Sequence, residues 1–263
     1  MFHAHEIDRQ EVGEVSFNDH YSSTELRLIA ARVGSREGWD FSRMNTSHPS
    51  TPWNYGSVVR SHLRPTDSVI DLGTGGGERL LEFRNDARLL VGVDIDVEMI
   101  RRAQTNSASA KNVHFRVGTG AEANGPFDVV INRHAPFELE MIRELLPSGG
   151  KFVTQQVGEH TLANVKAAFR VVAPQEPVVR PEMFTMAGFS IVRFDEYDVD
   201  YSIHDVDSLI FWLQALDIAH SDFIGFDPER DVQAINELLS TSLGAEGLIT
   251  NEHRYLLVAT KVV

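Results

Sequence analysis

Between Ser68 and Val157 short apolar runs alternate with stretches whose apolar positions recur every three or four residues. The runs predict strands at Ser68–Leu72, Leu89–Asp94, Asn112–Val117, Phe127–Asn132 and Lys151–Val157. The recurrent stretches predict helices near Glu78–Phe83, Val97–Ser107, Phe137–Leu146 and Thr161–Phe169. Strand–helix alternation at this spacing predicts an α/β fold with a doubly wound parallel sheet. Ahead of it, residues 1–60 read as an irregular or helical lead-in, with one helix in "SSTELRLIAARVGSR" capped by Ser22 or Ser23. The stretch "NTSHPSTPWNYG" that follows is turn-rich and carries Trp53 and Tyr55. Behind it, "AGFSIVRFDEYDVDYS" predicts a long strand near Phe189–Tyr201. A mostly helical stretch follows, from about Val206 to Leu243, and then a closing strand near His253–Val262. Two strands around a helical insertion predict an antiparallel pair at one edge of the sheet.

Composition narrows the class. With 263 residues, 42% apolar and 24% charged, the chain is long enough to bury a core. No apolar run approaches the roughly 20 residues of a membrane helix. The polar, acidic start "MFHAHEIDRQEVGEV" reads as neither a signal nor a transit peptide, so a cytoplasmic location is expected. Without cysteine there is no disulfide, thiolate zinc site or cysteine nucleophile. His3 and His5 in "HAHE" lack a third ligand on a fixed frame, so no metal is expected. The net charge is −14, and residues 190–263 hold 14 acids against 4 bases, −10 of that total. Non-specific nucleic-acid affinity comes from neutralising phosphates, for which this region is poorly made.

The segment "SVIDLGTGGGERLLEF" combines a buried strand, a glycine loop and a helix start, the form of a nucleotide-type ligand cradle. The dinucleotide fingerprint needs a third glycine where Glu78 stands. The loop instead reads G-x-G-x-G through Gly73, Gly75 and Gly77, with Thr74 inside it and the acids Asp71 and Glu78 flanking it. Carboxylates would repel a pyrophosphate, but they favour the ammonium and sulfonium of S-adenosylmethionine (SAM). The next strand ends in Asp94, 21 residues after Gly73, where an acid grips a ribose diol. Ile95 and Met99 would then offer an apolar face to the adenine. The alternative for Asp94 is a cap on the helix that starts at Val97.

"VIDLGTGGGE", "GVDIDVEMIRRA", "FDVVINRHAPFE" and "LLPSGGKFVTQQV" resemble the successive motifs of class I SAM-dependent methyltransferases, over about residues 66–170. The resemblance implies a Rossmann-like, seven-stranded, mostly parallel sheet with a reversed last strand, which fits the two strands and helical insertion read above. It also implies SAM as cofactor and S-adenosylhomocysteine as product. On this reading residues 1–60 cover the cofactor site, and 61–263 form the SAM-binding domain, with 202–250 as a lid-like insertion. Where the family often carries an acid after the third strand, this chain has "VGTGAE", placing Thr119 near the adenine. "NRHAPFELEMIRELLPSGGKFVTQQVGEHTLANVK" is also similar to large-subunit rRNA guanine-N1 methyltransferases, whose zinc ribbon is impossible here without cysteines.

The methyl acceptor is expected beyond the carboxyl ends of the strands. There the fourth strand delivers Asn132, a candidate for the methionine part of SAM, then Arg133 and His134. His134 is the candidate general base or substrate-orienting group, its alternative being to cap or pack beneath the next helix. "TQQVGEH" brings Gln155, Gln156, Glu159 and His160 near the same crevice, with only one of the successive glutamines facing it. Trp53 and Tyr55 either wall the acceptor pocket or close the N-terminal segment on the sheet. Trp212, beside Phe211 in "SLIFWLQAL", is either a further pocket residue or core. The expected reaction is methyl transfer to oxygen or nitrogen of a small molecule. The alternatives are an rRNA or tRNA base N-methyltransferase and a non-catalytic SAM-binding partner protein. No membrane partner is expected, and monomer and homodimer stand open.

Overall fold

The structure is a computed structural model that describes residues 16–34, 41–123, 125–171, 179–215 and 225–262. Along the chain, α1 (Ser23–Val33) and the two-residue β1 (Thr46–Ser47) precede α2 (Tyr55–Ser61). There follow β2 (Ser68–Leu72), α3 (Glu78–Leu81), β3 (Leu89–Asp94), α4 (Val97–Asn106) and β4 (Val113–Val117). Next come β5 (Val129–Arg133), α5 (Leu139–Leu145), β6 (Lys151–Val157), α6 (Ala163–Ala168) and α7 (Pro181–Met186). The chain closes with β7 (Phe189–Ile203), α8 (Val206–Ala215), α9 (Pro228–Ser242), β8 (Leu243–Gly244) and β9 (Gly247–Lys261).

The strand order is β1-β7-β9-β6-β5-β2-β3-β4, with β8 paired to β9. Pairs β2–β3, β3–β4, β2–β5 and β5–β6 are parallel, whereas β9 runs antiparallel to β6. This is the Rossmann-like, mostly parallel α/β sheet expected from the sequence, with nine strands among the described residues rather than seven, because the two-residue β1 and β8 add to it. The reversed strand is β9, which lies one place in from β7. The order inverts between β2 and β5, so the carboxyl ends of these strands open a crevice of the kind that binds ligands in such sheets. Local chemistry sets the helix starts. Asp96 accepts from the Glu98 and Met99 N–H groups at 2.8 and 3.3 Å and so caps α4, a bond worth about 1 kcal/mol. The cap of α4 is therefore Asp96, not Asp94.

Two compact units emerge. One comprises Thr51–Thr161, Gln175–Asp198 and His253–Val263, and carries the sheet from β2 to β6. All five residues of β2 are buried, and Ile70, Val130, Phe152 and Leu257 sit in its core at 0% exposure. The second unit draws on Met1–Ser50, Leu162–Pro174 and Val199–Glu252. Its core gathers Leu26 of α1, Leu209 and Leu213 of α8, and Ile235 of α9. The predicted helical stretch from Val206 to Leu243 resolves into α8 and α9, with residues 216–224 outside those described. β9 begins at Gly247 rather than His253, because half-buried Asn251 and Glu252 break the apolar pattern that marks a strand. Among the described residues no helix is long and apolar enough to cross a membrane.

Candidate functional site

The glycine loop joins β2 to α3 and owes its shape to close approaches. Gly73 and Gly77 have φ of 76° and 77°, a region that L side chains rarely adopt. A Cβ at Gly73 would meet the Ala135 Cβ at 2.2 Å, and one at Gly77 would meet the Phe115 ring at 2.5 Å. At Gly75, by contrast, a Cβ would meet nothing within 4 Å, so the loop's middle faces open space. The Gly73 and Thr74 N–H groups both donate to the Val93 carbonyl at 2.9 Å, which ties the loop to the end of β3.

Asp94, at that strand end, accepts from the Gly75 N–H at 2.8 Å through one oxygen and from the Asp96 N–H at 2.9 Å through the other. An ionised carboxylate offers about four acceptor positions, so two stay available for a diol. Ile95 beside it is 66% exposed, unusual for isoleucine, and Met99 is half-buried. Thr119 is exposed beyond β4, where the Gly118 N–H donates to the Asp94 carbonyl at 2.9 Å.

Asp71 is buried at the end of β2. Burial pushes its pKa up to about 7; the Thr74 hydroxyl lowers it, Asp94 raises it and Arg133 lowers it. The Thr74 Oγ1 is itself buried and, among the described residues, makes no hydrogen bond of acceptable geometry. A buried carboxyl that ionises reluctantly, beside an unsatisfied hydroxyl, suits a cationic, hydrogen-bonding ligand group. The Glu78 carboxylate lies against the loop at Gly76 and pairs with Arg102 of α4 at 3.2 Å. These features fit SAM and oppose a pyrophosphate.

The ends of β5 and β6 carry a second constellation. The Trp53 Nε1–H donates to Gln155 Oε1 at 2.8 Å, and Gln155 Nε2 lies 2.9 Å from His134 Nε2. Indole N–H is only a donor, so it fixes the Gln155 oxygen toward Trp53 and the amide N–H toward His134. His134 Nε2 is therefore the acceptor, and the ring proton sits on Nδ1. Burial first, then Arg254 and Arg133, hold the His134 pKa well below the usual imidazole value. By surface area the residue is nonetheless exposed, open to solvent on one side while protein crowds it on the others. Its φ of 55° is a strained conformation for a side-chain-bearing residue, a kind that clusters at functional sites.

Other sequence candidates have structural partners. Asn132 is 0% exposed; its amide donates to the Leu72 carbonyl at 2.9 Å and its oxygen accepts from Thr154 at 3.1 Å. Gln156, on the face opposite Gln155, also donates to Asn132 and to the Thr154 hydroxyl. Tyr55 is buried, and its hydroxyl donates to the Asn132 carbonyl at 3.1 Å. Trp53 and Tyr55 thus hold the start of α2 against the strand ends. Arg133 lies over the Tyr55 ring, 5.8 Å from its centroid. The His160 side chain is exposed, its ring edge-on to that of His253, and α6 has no side-chain cap. Trp212 belongs to the second unit, partly buried against that unit's core. The His3 and His5 pair lies outside the described residues. Among those described, no group of three or more His, Asp or Glu is placed to hold a metal. Two residues of the constellation gave no sequence signal: Arg254, placed by the register of β9, and Tyr197, edge-on to Trp53 at 6.1 Å.

Fold and glycine loop define a class, and comparison with known proteins confirms it. The methyltransferase-domain profile matches residues 63–198, just over half of the 263-residue chain. The chain belongs to this family, the class I SAM-dependent methyltransferases, and its cofactor is SAM. It is 34% identical over 114 residues to ribosomal protein L11 methyltransferase of Thermus thermophilus, covering 40% of this chain and 44% of that protein. It is 26% identical over 127 residues to the uncharacterized methyltransferase YcgJ of Bacillus subtilis, covering 46% and 47%. The chain thus spans about half the length of the curated relatives it matches. The YcgJ crystal structure superposes with a TM-score of 0.56 at 19% identity, over 80% of this chain and 98% of that one. A functionally unknown protein from Deinococcus radiodurans gives 0.59 at 17%, over 83% and 92%. At these identities the likeness is one of fold.

Proposed function

We propose that this protein transfers the methyl group of SAM to an oxygen or nitrogen of a small molecule. SAM supplies an electrophilic methyl on a sulfonium; the chain's residues bind, orient and exclude. Asp94 receives the ribose hydroxyls beside the Gly75 N–H, and Ile95 and Met99 lie along the adenine, with Thr119 at its far edge. Asp71, Thr74 and the loop from Gly73 to Gly77 take the amino-acid part. Asn132 supports this end through the strand it braces. His134 meets the acceptor as a hydrogen-bonding group that orients it. Its Nε2 already accepts from Gln155, so removal of an acceptor proton falls to solvent, and positioning supplies most of the rate.

The observation that carries the reading is the pair of acids, Asp71 and Asp94, set around a glycine loop whose middle faces open space. Its test is calorimetry with SAM, S-adenosylhomocysteine and NADH, followed by an acceptor screen with methyl-labelled SAM. Tight binding of NADH with none of SAM would overturn it. Support for a small acceptor over RNA comes from charge. Residues 190–263 carry −10, and Arg79, at the helix beside the loop, is paired with Glu82 at 2.8 Å. Submicromolar RNA binding that falls steeply with salt would reverse this preference. A cytoplasmic location is part of the same proposal.

A further inference from the structure

In a chain of net charge −14, two arginines, Arg133 and Arg254, lie at the strand ends beyond the glycine loop. Arg133 of β5 stands opposite Gln155 of β6, and Arg254 of β9 stands opposite Val157 of β6. Paired residues on neighbouring strands point to one sheet face, as do residues two apart along a strand. Arg133, Gln155 and Arg254 therefore share a face, and His134, bonded to Gln155, follows Arg133 at the same end.

The charges around Arg133 leave it short of anions. Its pKa is lowered by burial first and then by Arg79, while Tyr55 raises it, Arg254 lowers it and Glu82 raises it. Glu82, the acid that acts on it, is paired to Arg79 at 2.8 Å. Asp71 is the acid beside the glycine loop; without cofactor it keeps its proton up to about pH 7, and with cofactor its charge is met by the ammonium. Among the described residues the Arg133 Nε is buried without a hydrogen-bond partner. A buried donor on a charged group left unmatched is costly, and a ligand that supplies the acceptor removes the cost.

We propose that Arg133 and Arg254 form a subsite for an anionic oxygen group, carboxylate or phosphate, on the methyl acceptor, with the His134 Nδ1–H as a neutral donor beside them. The subsite rests on the methyl-transfer reading above and names the class of acceptor. Guanidinium matches both groups through paired N–H donors, which an ammonium does not. Two arginines on one sheet face fit a single anion rather than a run of phosphates.

The test is calorimetric titration of the protein saturated with S-adenosylhomocysteine, using 4-hydroxybenzoate, its methyl ester and 4-hydroxyphenyl phosphate as probes. At least one anion should bind ten-fold or more tightly than the ester, and the tighter anion identifies the group. Arg133→Gln and Arg254→Gln should each weaken that anion at least ten-fold while leaving S-adenosylhomocysteine affinity within two-fold. Arg133→Lys, which keeps the charge, should retain part of the affinity. Equal binding of ester and anions, or no saturable binding of either anion at tens of millimolar, overturns the subsite. So does a loss in Arg133→Lys as large as in Arg133→Gln together with a lowered melting temperature, which would make Arg133 a packing residue. If Arg133→Gln weakens S-adenosylhomocysteine and spares the anion, Arg133 belongs to the cofactor and the subsite fails. Failure of the unmodified protein to bind S-adenosylhomocysteine would instead defeat the proposed methyl transfer.

Discussion

His134 and His204 show how differently the two units use the same side chain. His204, in the helical unit, is 3% exposed, with Nδ1 2.7 Å from the Glu246 carbonyl and Nε2 2.9 Å from the Ser47 hydroxyl. Both nitrogens are occupied, and the ring pins β1 to the turn ahead of β9. His134, in the sheet unit, has one nitrogen fixed by Gln155 and remains exposed in a strained backbone conformation. The contrast extends to whole units. The sheet unit's parallel strands come from one run of chain, residues 68–157, and their shared carboxyl edge collects Asp71, Asp94 and His134. The helical unit is assembled from three distant segments and locked by long-range bonds such as Tyr21 N–H to Asn236 Oδ1 at 2.9 Å. Satisfied polar groups mark structure, and partly satisfied ones at a strand edge mark chemistry.

The largest expected effect breaks or upholds that division directly. Leu209 is 0% exposed in the helical core, so Leu209→Ala should cost about 2–5 kcal/mol of stability. Thermal unfolding would register the loss, while S-adenosylhomocysteine affinity measured below the transition should stay within two-fold. A collapse of affinity would show that the helical unit carries part of the cofactor site. In the sheet unit the order reverses. On the proposed function Asp94→Ala removes two charge-assisted ribose bonds and should weaken S-adenosylhomocysteine binding by about 2–4 kcal/mol. It also frees the Gly75 and Asp96 N–H groups, so Asp94→Asn, which keeps one acceptor oxygen, should lose less. Equal losses in both variants would mean that the carboxylate's charge, not its bonds to loop and ribose, matters.

The same contrast decided what could be read from sequence. β2, β3 and β6 fall on the residues that their apolar runs predict, because buried parallel strands are continuous apolar segments bounded by turns. The acids Asp71 and Asp94 were legible too, since the strand–loop–helix frame fixes their place by spacing alone. What stayed hidden depends on register and long-range pairing. Nothing in "HRYLL" announces that Arg254 stands opposite Val157, and nothing near Trp53 announces its bond to Gln155, 102 positions away. Asn132 carried a polar signal at the right strand end, yet its amide is taken by the Leu72 carbonyl. Residue type and position place a group near a site; its hydrogen-bond partners decide whether it remains available.

A third prediction concerns pH. The Asp71 pKa is raised from 3.8 to about 7, so the folded protein holds this proton where the unfolded chain has released it. The stabilisation from Asp71 is therefore full below about pH 4 and is lost as pH rises to about 7. Cofactor binding should run the opposite way, because the ammonium favours the ionised carboxylate. Affinity should fall up to about ten-fold per pH unit below 7, and binding there should release a proton. Calorimetry in buffers of different ionisation enthalpy reads that proton. In Asp71→Asn both the release and this pH dependence should vanish; persistence of either would place the titrating group elsewhere.

The smallest effect tests the hydrogen-bonded chain that separates His134 from His204. Trp53→Phe removes the donor that fixes Gln155, leaving the Oε1 buried and unmatched at a cost of about 1–3 kcal/mol. The amide is then free to turn and present its oxygen to His134. That reversal favours a proton on Nε2, removes an opposing donor and raises the His134 pKa. Nitrogen-15 NMR of the imidazole distinguishes the states, because protonated and unprotonated ring nitrogens resonate far apart. The unmodified protein should show the proton on Nδ1 and stay neutral well below the usual imidazole pKa. Trp53→Phe should shift protonation toward Nε2 and move the titration upward. Gln155→Glu should do so more strongly, since a carboxylate accepts from Nε2–H and stabilises the imidazolium. If His134 carries its proton on Nε2 in the unmodified protein, Trp53 does not set the tautomer, and the orienting role proposed for His134 loses its structural basis.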